Sequence, residues 1–154
     1  MLLTSNNDSN IKKIIQEQGI HYSTTVGMSM YPLLRDRKDR IIVRPNKDKY
    51  CISDVILFQR PNGKIILHRI VGENDNHYLV CGDNQYTIEK VSKEFVIGKL
   101  VAFYRGNRYV SIKEIRYKFY SWSVILLLPI RLPFLFVSQK LIKIWINALN
   151  KFGN

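Results

Sequence analysis

Two tight turns between runs of β-branched and aromatic residues constrain the fold of this chain more than any other feature. The turns are Pro61-Asn62-Gly63 and Gly106-Asn107. Asn and Gly tolerate positive φ angles, so these turns favour β-hairpins. Together with the other short apolar runs they predict a compact, mostly β domain. The predicted strands are His21–Val26, Arg40–Arg44, Val55–Arg60, Lys64–Val71, His77–Cys81, Phe95–Tyr104 and Arg108–Ser111.

The chain is expected to form one β-rich domain over residues 20–111. A flexible start with a short helix (1–19) precedes it, and an apolar, basic helical tail (112–154) follows it. At 154 residues the chain is long enough to bury one core. In the start, Asn10 is a candidate N-cap and Gly19 a candidate helix end, which predicts a helix between them.

The tail carries seven Lys or Arg residues and one acidic residue. Within it, Trp122–Val137 has a single charge, Arg131, but Pro129 and Pro133 interrupt the helical hydrogen bonds. A membrane span needs about 20 apolar residues, so an insertion that lies on the surface or turns back is favoured over a clean span. Leu141–Phe152 is amphipathic, as in interfacial helices. We expect a membrane surface as partner rather than nucleic acid. The alternative is a helix that packs on its own domain or on a partner.

Metal and cofactor sites are not expected. Cys51 and Cys81 lie 30 residues apart, so they are predicted to be buried small apolar residues rather than metal ligands or a redox pair. No phosphate-binding loop or dinucleotide fingerprint occurs. A secretory signal is not expected either, because a polar run follows Leu3.

A serine flanked by Gly and Met is the main candidate for chemistry. Ser29 lies in Gly27-Met28-Ser29-Met30-Tyr31-Pro32, and His68 follows later on a predicted strand. A serine hydroxyl needs a base at hydrogen-bond distance to act as a nucleophile, and histidine has a suitable pKa. Met28, Met30 and Pro32 are expected to contact substrate. The alternative is that His68 is an ordinary buried histidine on an apolar strand face.

Five sequence blocks occur in an order that resembles the signal peptidase I family and its LexA-like relatives. The resemblance covers residues 20–104 and implies a β-rich catalytic fold with serine endopeptidase chemistry. The blocks are Gly27-x-Ser29-Met30-x-Pro32 with Ile41-Ile42-Val43, Asp54-Val55-Ile56-Leu57-Phe58, His68-Arg69-Ile70-Val71, Gly82-Asp83-Asn84 and Ile97-Gly98-Lys99-Leu100-Val101.

The pair His68-Arg69 is similar to the branch of that family found in the endoplasmic reticulum, in archaea and in sporulation, where histidine replaces the usual lysine. The resemblance implies that Ser29 is the nucleophile and His68 the general base. Asp83 and Glu89 are then the acidic candidates that orient His68, although Glu89 stands where that branch has aspartate. Asp83 is alternatively structural, closing its own turn with an Asx hydrogen bond.

The expected function is cleavage of a leader or signal segment from a peptide or preprotein, without a cofactor, at a membrane surface. Two alternatives remain. One is a non-catalytic membrane-associated module that kept the peptidase fold. The other is a regulatory self-cleaving peptidase, which would need a DNA-binding helix-turn-helix, and the 19 residues before the β domain are too few for one.

Overall fold

The computed structural model describes residues 2–3, 15, 17–45 and 49–152, with the backbone alone for 2–3 and 143–152. The protein is mostly β with two C-terminal helices, which confirms the predicted fold class. A short 3-10 helix covers Lys93–Phe95. The strands and helices are β1 Leu2–Leu3, β2 His21–Val26, β3 Asp39–Arg44, β4 Val55–Gln59, β5 Ile65–Glu73, β6 His77–Cys81, β7 Glu89–Ser92, β8 Val96–Arg105, β9 Arg108–Ser111, α1 Ile115–Leu126 and α2 Leu128–Phe152.

The strands form one curled antiparallel sheet. Its order is β1-β2-β3-β8-β4-β5-β6-β7, and β9 pairs with β8. Leu2 pairs with both Val26 of β2 and Ile66 of β5, so β1 connects two strands that are distant in that order. The hairpins β4–β5 and β8–β9 use the two predicted turns, where Gly63 and Gly106 have φ angles of +82° and +64°.

Strands β4 and β5 are buried on both faces, which explains their nearly continuous apolar sequence. Alternate residues of the two strands belong to two core clusters, one containing Leu57 and Leu67 and the other Phe58 and Ile66. Side chains of successive strand residues point to opposite faces. The neighbours on β5, His68 and Arg69, are therefore both buried but on different sides of the sheet.

Two local predictions turn out differently. Cys81 is buried as expected, but Cys51 is exposed, so the prediction of burial was wrong for that residue. Of the predicted helix at 10–19, the structure describes Ile15 and residues 17–19. Ile15 is helical and fully buried. Residues 17 and 18 are helical but exposed, and the rest of that prediction lies outside the described residues.

The tail folds as two helices, with a bend of 74° at Leu127. Pro129 lies in the first turn of α2, where a backbone N–H has no helical partner. Pro133 removes one helical hydrogen bond, the one to the Pro129 carbonyl, and the helix continues through it. Among the described residues no helix alone is long and apolar enough to cross a membrane. Only α1 and Leu128–Ile142 together meet that test.

Arg69 joins the sheet to the tail through a fully buried guanidinium. It donates to both carboxylate oxygens of Asp83, at 2.8 and 2.7 Å, and to the carbonyl of Ser53 at 2.8 Å. It also donates to the hydroxyl of Ser121 in α1. The hydroxyl of Tyr120 donates to Asp83 Oδ2 at 3.0 Å. One ion pair thus fixes β5, the turn after β6 and α1.

Replacing Asp83 with alanine should strongly destabilise the fold, because it leaves the buried Arg69 guanidinium without its counter-ion. We expect Asp83→Ala to lower the free energy of unfolding by about 3–5 kcal/mol in urea titrations. The matched control is Asp75→Ala, since Asp75 is exposed in the turn between β5 and β6. Equal losses for both variants would contradict a central role of the ion pair.

Candidate active site

The turn that follows β2 carries Ser29 and is held from two sides. The φ angle of Gly27 is +99°, and its N–H donates to Asp36 Oδ1 at 2.7 Å. On the other side, the backbone N–H of Asn84 donates to the Ser29 carbonyl at 2.8 Å, and its side-chain amide donates to the Met28 carbonyl at 3.3 Å. We call Gly27–Tyr31 the nucleophile turn and Gly82–Asn84 the support turn.

Gly82 allows the two turns to approach each other. A Cβ atom at this position would lie 2.6 Å from the carbonyl oxygen of Ser29 and 3.1 Å from its Cβ. Real Cβ atoms do not come that close to a backbone oxygen, so any side chain here would displace the nucleophile turn. The glycine of the support turn is therefore required by packing against Ser29.

His68 lies between the hydroxyl of Ser29 and the carboxylate of Glu89. Its Nε2 is 3.3 Å from Ser29 Oγ, and its Nδ1 is 3.0 Å from Glu89 Oε1. The contact with Glu89 lies within the distance of both an ion pair and a hydrogen bond. If Nδ1 carries the proton, Nε2 is free of hydrogen and accepts the proton of the serine.

Glu89 is held in place by Arg60. The Arg60 guanidinium donates from Nε to Oε2 at 2.8 Å, and its Nη2 lies 2.6 Å from Oε1. Glu89 begins β7 opposite Val80 of β6, so its side chain must span β6 to reach His68 on β5. The longer side chain of glutamate, compared with aspartate, suits this reach.

The electrostatics of the site favour a neutral imidazole beside an ionised carboxylate. Burial lowers the pKa of His68, the Glu89 carboxylate partly offsets this, and the positive charge of Arg60 lowers it further. Burial of Glu89 works to raise its pKa, but hydrogen bonds from His68 and Arg60 outweigh burial and lower that pKa to about 2. Glu89 therefore stays charged throughout the range in which His68 titrates.

Of the two acidic candidates, the structure brings Glu89 to His68 and places Asp83 elsewhere. Asp83 directs both carboxylate oxygens to Arg69 on the other side of β5, so it does not orient His68. The alternative was that Asp83 has a structural role and closes its own turn with an Asx hydrogen bond. Its role is structural, but its carboxylate binds Arg69. The side chains of His68 and Arg69 lie on opposite faces of β5. Glu89 therefore contacts one face of that strand and Asp83 the other.

An open groove of about 470 Å³ runs past Ser29 and His68. Met28 lines it and is half exposed, as expected for a residue that contacts substrate. Met30 and Pro32 lie away from this groove: Met30 is fully buried in the core, and Pro32 lines a different hollow beside Arg105. The groove is lined by Val26, Gly27, Met28, Ser29, Arg60, Lys64, Ile66, His68, Asn84, Gln85 and Gln139.

Sequence reasoning missed three side chains at or beside this site: Arg60, Arg131 and Gln139. Arg60 directly precedes the turn of a predicted hairpin, and no motif marks it. Arg131 and Gln139 come from α2, 47 and 55 residues after Asn84, which ends the block Gly82-Asp83-Asn84. Nothing in their local sequence indicates that they meet this turn. Among the described residues, no group of three or more His, Cys, Asp or Glu is arranged to hold a metal ion.

Comparison with protein-family models and with curated proteins gives no match for this chain. The chemistry of the site is therefore argued from its geometry. A hydroxyl, an imidazole and an ionised carboxylate in series are the groups that activate a serine as a nucleophile. A serine activated in this way can attack a carbonyl carbon.

The pKa of His68 should respond to the charges of both Glu89 and Arg60. By NMR we expect a midpoint below 6.5 in the unmodified chain. Glu89→Gln should lower it further, because the carboxylate stabilises the imidazolium, and Arg60→Met should raise it. Since the unfolded chain binds this proton more readily, the fold should lose stability as pH falls below 6.5.

The control for this titration is Glu94→Gln, which removes an exposed carboxylate from the 3-10 helix. It should leave the His68 midpoint unchanged. If Glu89→Gln behaves in the same way as this control, the contact between His68 and Glu89 does not exist in solution.

Proposed function

We propose that this protein is a serine endopeptidase of the signal-peptidase type. The observation that supports it most is the distance of 3.3 Å between Ser29 Oγ and His68 Nε2 beside an open groove. The order of sequence blocks that resembles the signal peptidase I family supports the same reading. In that comparison the pair His68-Arg69 favours the branch that uses a histidine base.

In the proposed mechanism, His68 accepts the proton of Ser29 as the serine oxygen attacks a peptide carbonyl. The imidazolium formed is stabilised by Glu89, which the two contacts from Arg60 keep ionised. His68 then gives the proton to the departing amine, and the acyl-enzyme forms. A water molecule, deprotonated by His68, releases the acyl group and restores the serine.

The substrate in this proposal is an extended peptide, a leader or signal segment, that lies as a strand between β2 and β5. Leu2 supports this geometry because it pairs with Val26 and Ile66, and both of these residues line the groove. Added strands bind through main-chain hydrogen bonds, and side-chain pockets supply selectivity. A substrate strand in this position would displace β1. The apolar lining by Val26, Met28 and Ile66 suits small apolar side chains.

The tail supports membrane association. Each helix presents a stripe of exposed apolar residues with the same spacing, i, i+4, i+7 and i+11. In water such stripes would remain uncovered, while the basic tail attracts anionic headgroups. We therefore propose that the helix pair lies on an anionic bilayer. The stripes are Ile115, Phe119, Trp122 and Leu126 in α1, and Ile130, Phe134, Val137 and Leu141 in α2.

Ser29→Ala should abolish peptide cleavage without unfolding the domain, because it removes only the nucleophilic oxygen. The assay is cleavage of a library of extended peptides with small residues around the cut, followed by mass spectrometry. Ser92→Ala, at an exposed hydroxyl that donates to Glu94, is the matched control and should cleave normally. Cleavage that persists in Ser29→Ala would exclude the mechanism, and a fully inactive unmodified chain would favour the non-catalytic module.

A charge in the apolar stripe should release the protein from lipid. We expect Trp122→Asp to weaken binding to phosphatidylglycerol vesicles by about tenfold or more, since the apolar side chain no longer leaves water. Tyr22→Asp on β2 is matched, because both aromatic side chains are 62% exposed. Equal binding of the two variants in a flotation assay would contradict docking through the stripes. Loss of a chain dimer instead would point to a second copy as the occupant.

A further inference from the structure

The helix α2 reaches into the candidate active site. Its Gln139 lines the groove beside Ser29 and His68. The side-chain amide of Gln139 donates from Nε2 to the carbonyl of Asn84 at 2.9 Å. Eight residues earlier, Arg131 donates from Nη1 to the carbonyl of Asp83. Two consecutive carbonyls of the support turn are thus held by side chains of the tail.

The same turn holds the nucleophile from its other side. Asn84 donates its backbone N–H to the Ser29 carbonyl at 2.8 Å and accepts from Gln139 at its own carbonyl. Gln139 is therefore separated from the backbone of Ser29 by a single residue. The support turn also packs closely against Ser29 at Gly82, where an added Cβ would lie 2.6 Å from the Ser29 carbonyl oxygen.

The two tail helices are attached to the sheet in different ways. In α1, Ser121 and Val124 are buried, and Ser121 binds the Arg69 guanidinium. The described side chains of α2 are half-buried or exposed. Among the described residues, α2 contacts the β domain through the bonds from Arg131 and Gln139 and through an edge-on contact of Phe136 with Tyr86, with ring centroids 5.2 Å apart. The position of α2 therefore depends on the support turn and, reciprocally, α2 restrains that turn.

We propose that α2 is a component of the peptidase site and that Gln139 and Arg131 are positioning residues for Ser29. They act by fixing the support turn, which fixes the carbonyl of the nucleophile and so the place of its hydroxyl. The inference rests on the proposed function. It assigns to the tail a part in the chemical step, in addition to its contact with lipid.

The experiment compares four full-length variants in detergent solution, where binding to a bilayer does not contribute. Gln139→Ala removes the donor, and Gln139→Glu replaces the donor with an acceptor. Gln139→Lys keeps a donor on a side chain of similar length. Ser138→Ala is the neighbouring control, since that hydroxyl donates within its own helix, to the Leu135 carbonyl.

The first measurement is hydrogen exchange at the Asn84 amide, which donates to Ser29. We expect exchange about three- to tenfold faster in the Ala and Glu variants, the range that follows from losing one hydrogen bond, and unchanged exchange in the Lys variant and the control. The second is peptide cleavage, in which kcat should fall by a similar factor while KM stays nearly constant. A purely structural role would not distinguish Lys from Glu.

Unchanged exchange at Asn84 in both the Ala and Glu variants would overturn the inference, as would equal kcat values for Glu and Lys. A rise in KM alone would also overturn it, because Gln139 would then act only as a wall of the groove. Failure of the proposed function gives a different result, because the unmodified chain would then cleave no peptide. The exchange measurement decides whether Gln139 positions the turn in either case.

Discussion

The ion pair between Arg69 and Asp83 is the interaction on which the rest of the structure depends. Removing two charges from water is costly, and a buried pair is tolerated only when other polar groups satisfy it. Here Ser53 and Ser121 accept from the guanidinium, and Tyr120 donates to the carboxylate. Ser53 precedes β4, while Tyr120 and Ser121 belong to α1, so the pair is fully satisfied only when the sheet, the support turn and α1 are assembled together.

The candidate site uses the opposite side of the same strand. Because residues of a strand alternate between faces, His68 meets Ser29 and Glu89 on one side while Arg69 binds Asp83 on the other. The two carboxylates are thus separated by the strand itself. One neutralises a buried cation that holds the fold, and the other lies at a histidine in the groove. The sequence alone could not decide whether Asp83 or Glu89 orients His68. The alternation of side chains along β5 decides it, because Glu89 contacts His68 and Asp83 binds Arg69.

Much of the sheet could be predicted from local chemistry, and the errors have physical causes. Turns with Asn and Gly located the hairpins, and β-branched runs located their strands. Strand β7 was not predicted, because Glu89–Ser92 has only one buried apolar residue and depends on pairing with β6. Met30 is buried because the nucleophile turn folds back, which places its side chain in the core. Nothing in the local sequence predicts that the chain reverses direction there.

The candidate site was only partly predictable, because motifs identify some of its residues and long-range contacts place the others. Ser29 and His68 are recognisable because their spacing and neighbours form motifs, and the placement of Glu89 follows from the same comparison. Arg60 and Gln139 have no such context, since their contacts are made across the fold by the tip of a hairpin and by a distant helix. Residues that support a site through long-range hydrogen bonds leave no pattern in a single sequence.

The tail reverses the usual amphipathic arrangement, and this reversal accounts for both of its proposed roles. A helix on a soluble domain normally turns its apolar side inward. Here the inward positions include Tyr120, Ser121, Arg131 and Gln139, whose polar atoms bind the support turn and Arg69, and the apolar stripes face outward. Apolar side chains at the inward positions could not satisfy the buried carbonyls and charges of the turn. The polar contacts that hold the support turn therefore leave the outer face as the place for the apolar residues, and a bilayer would cover that face without disturbing the contacts beneath it.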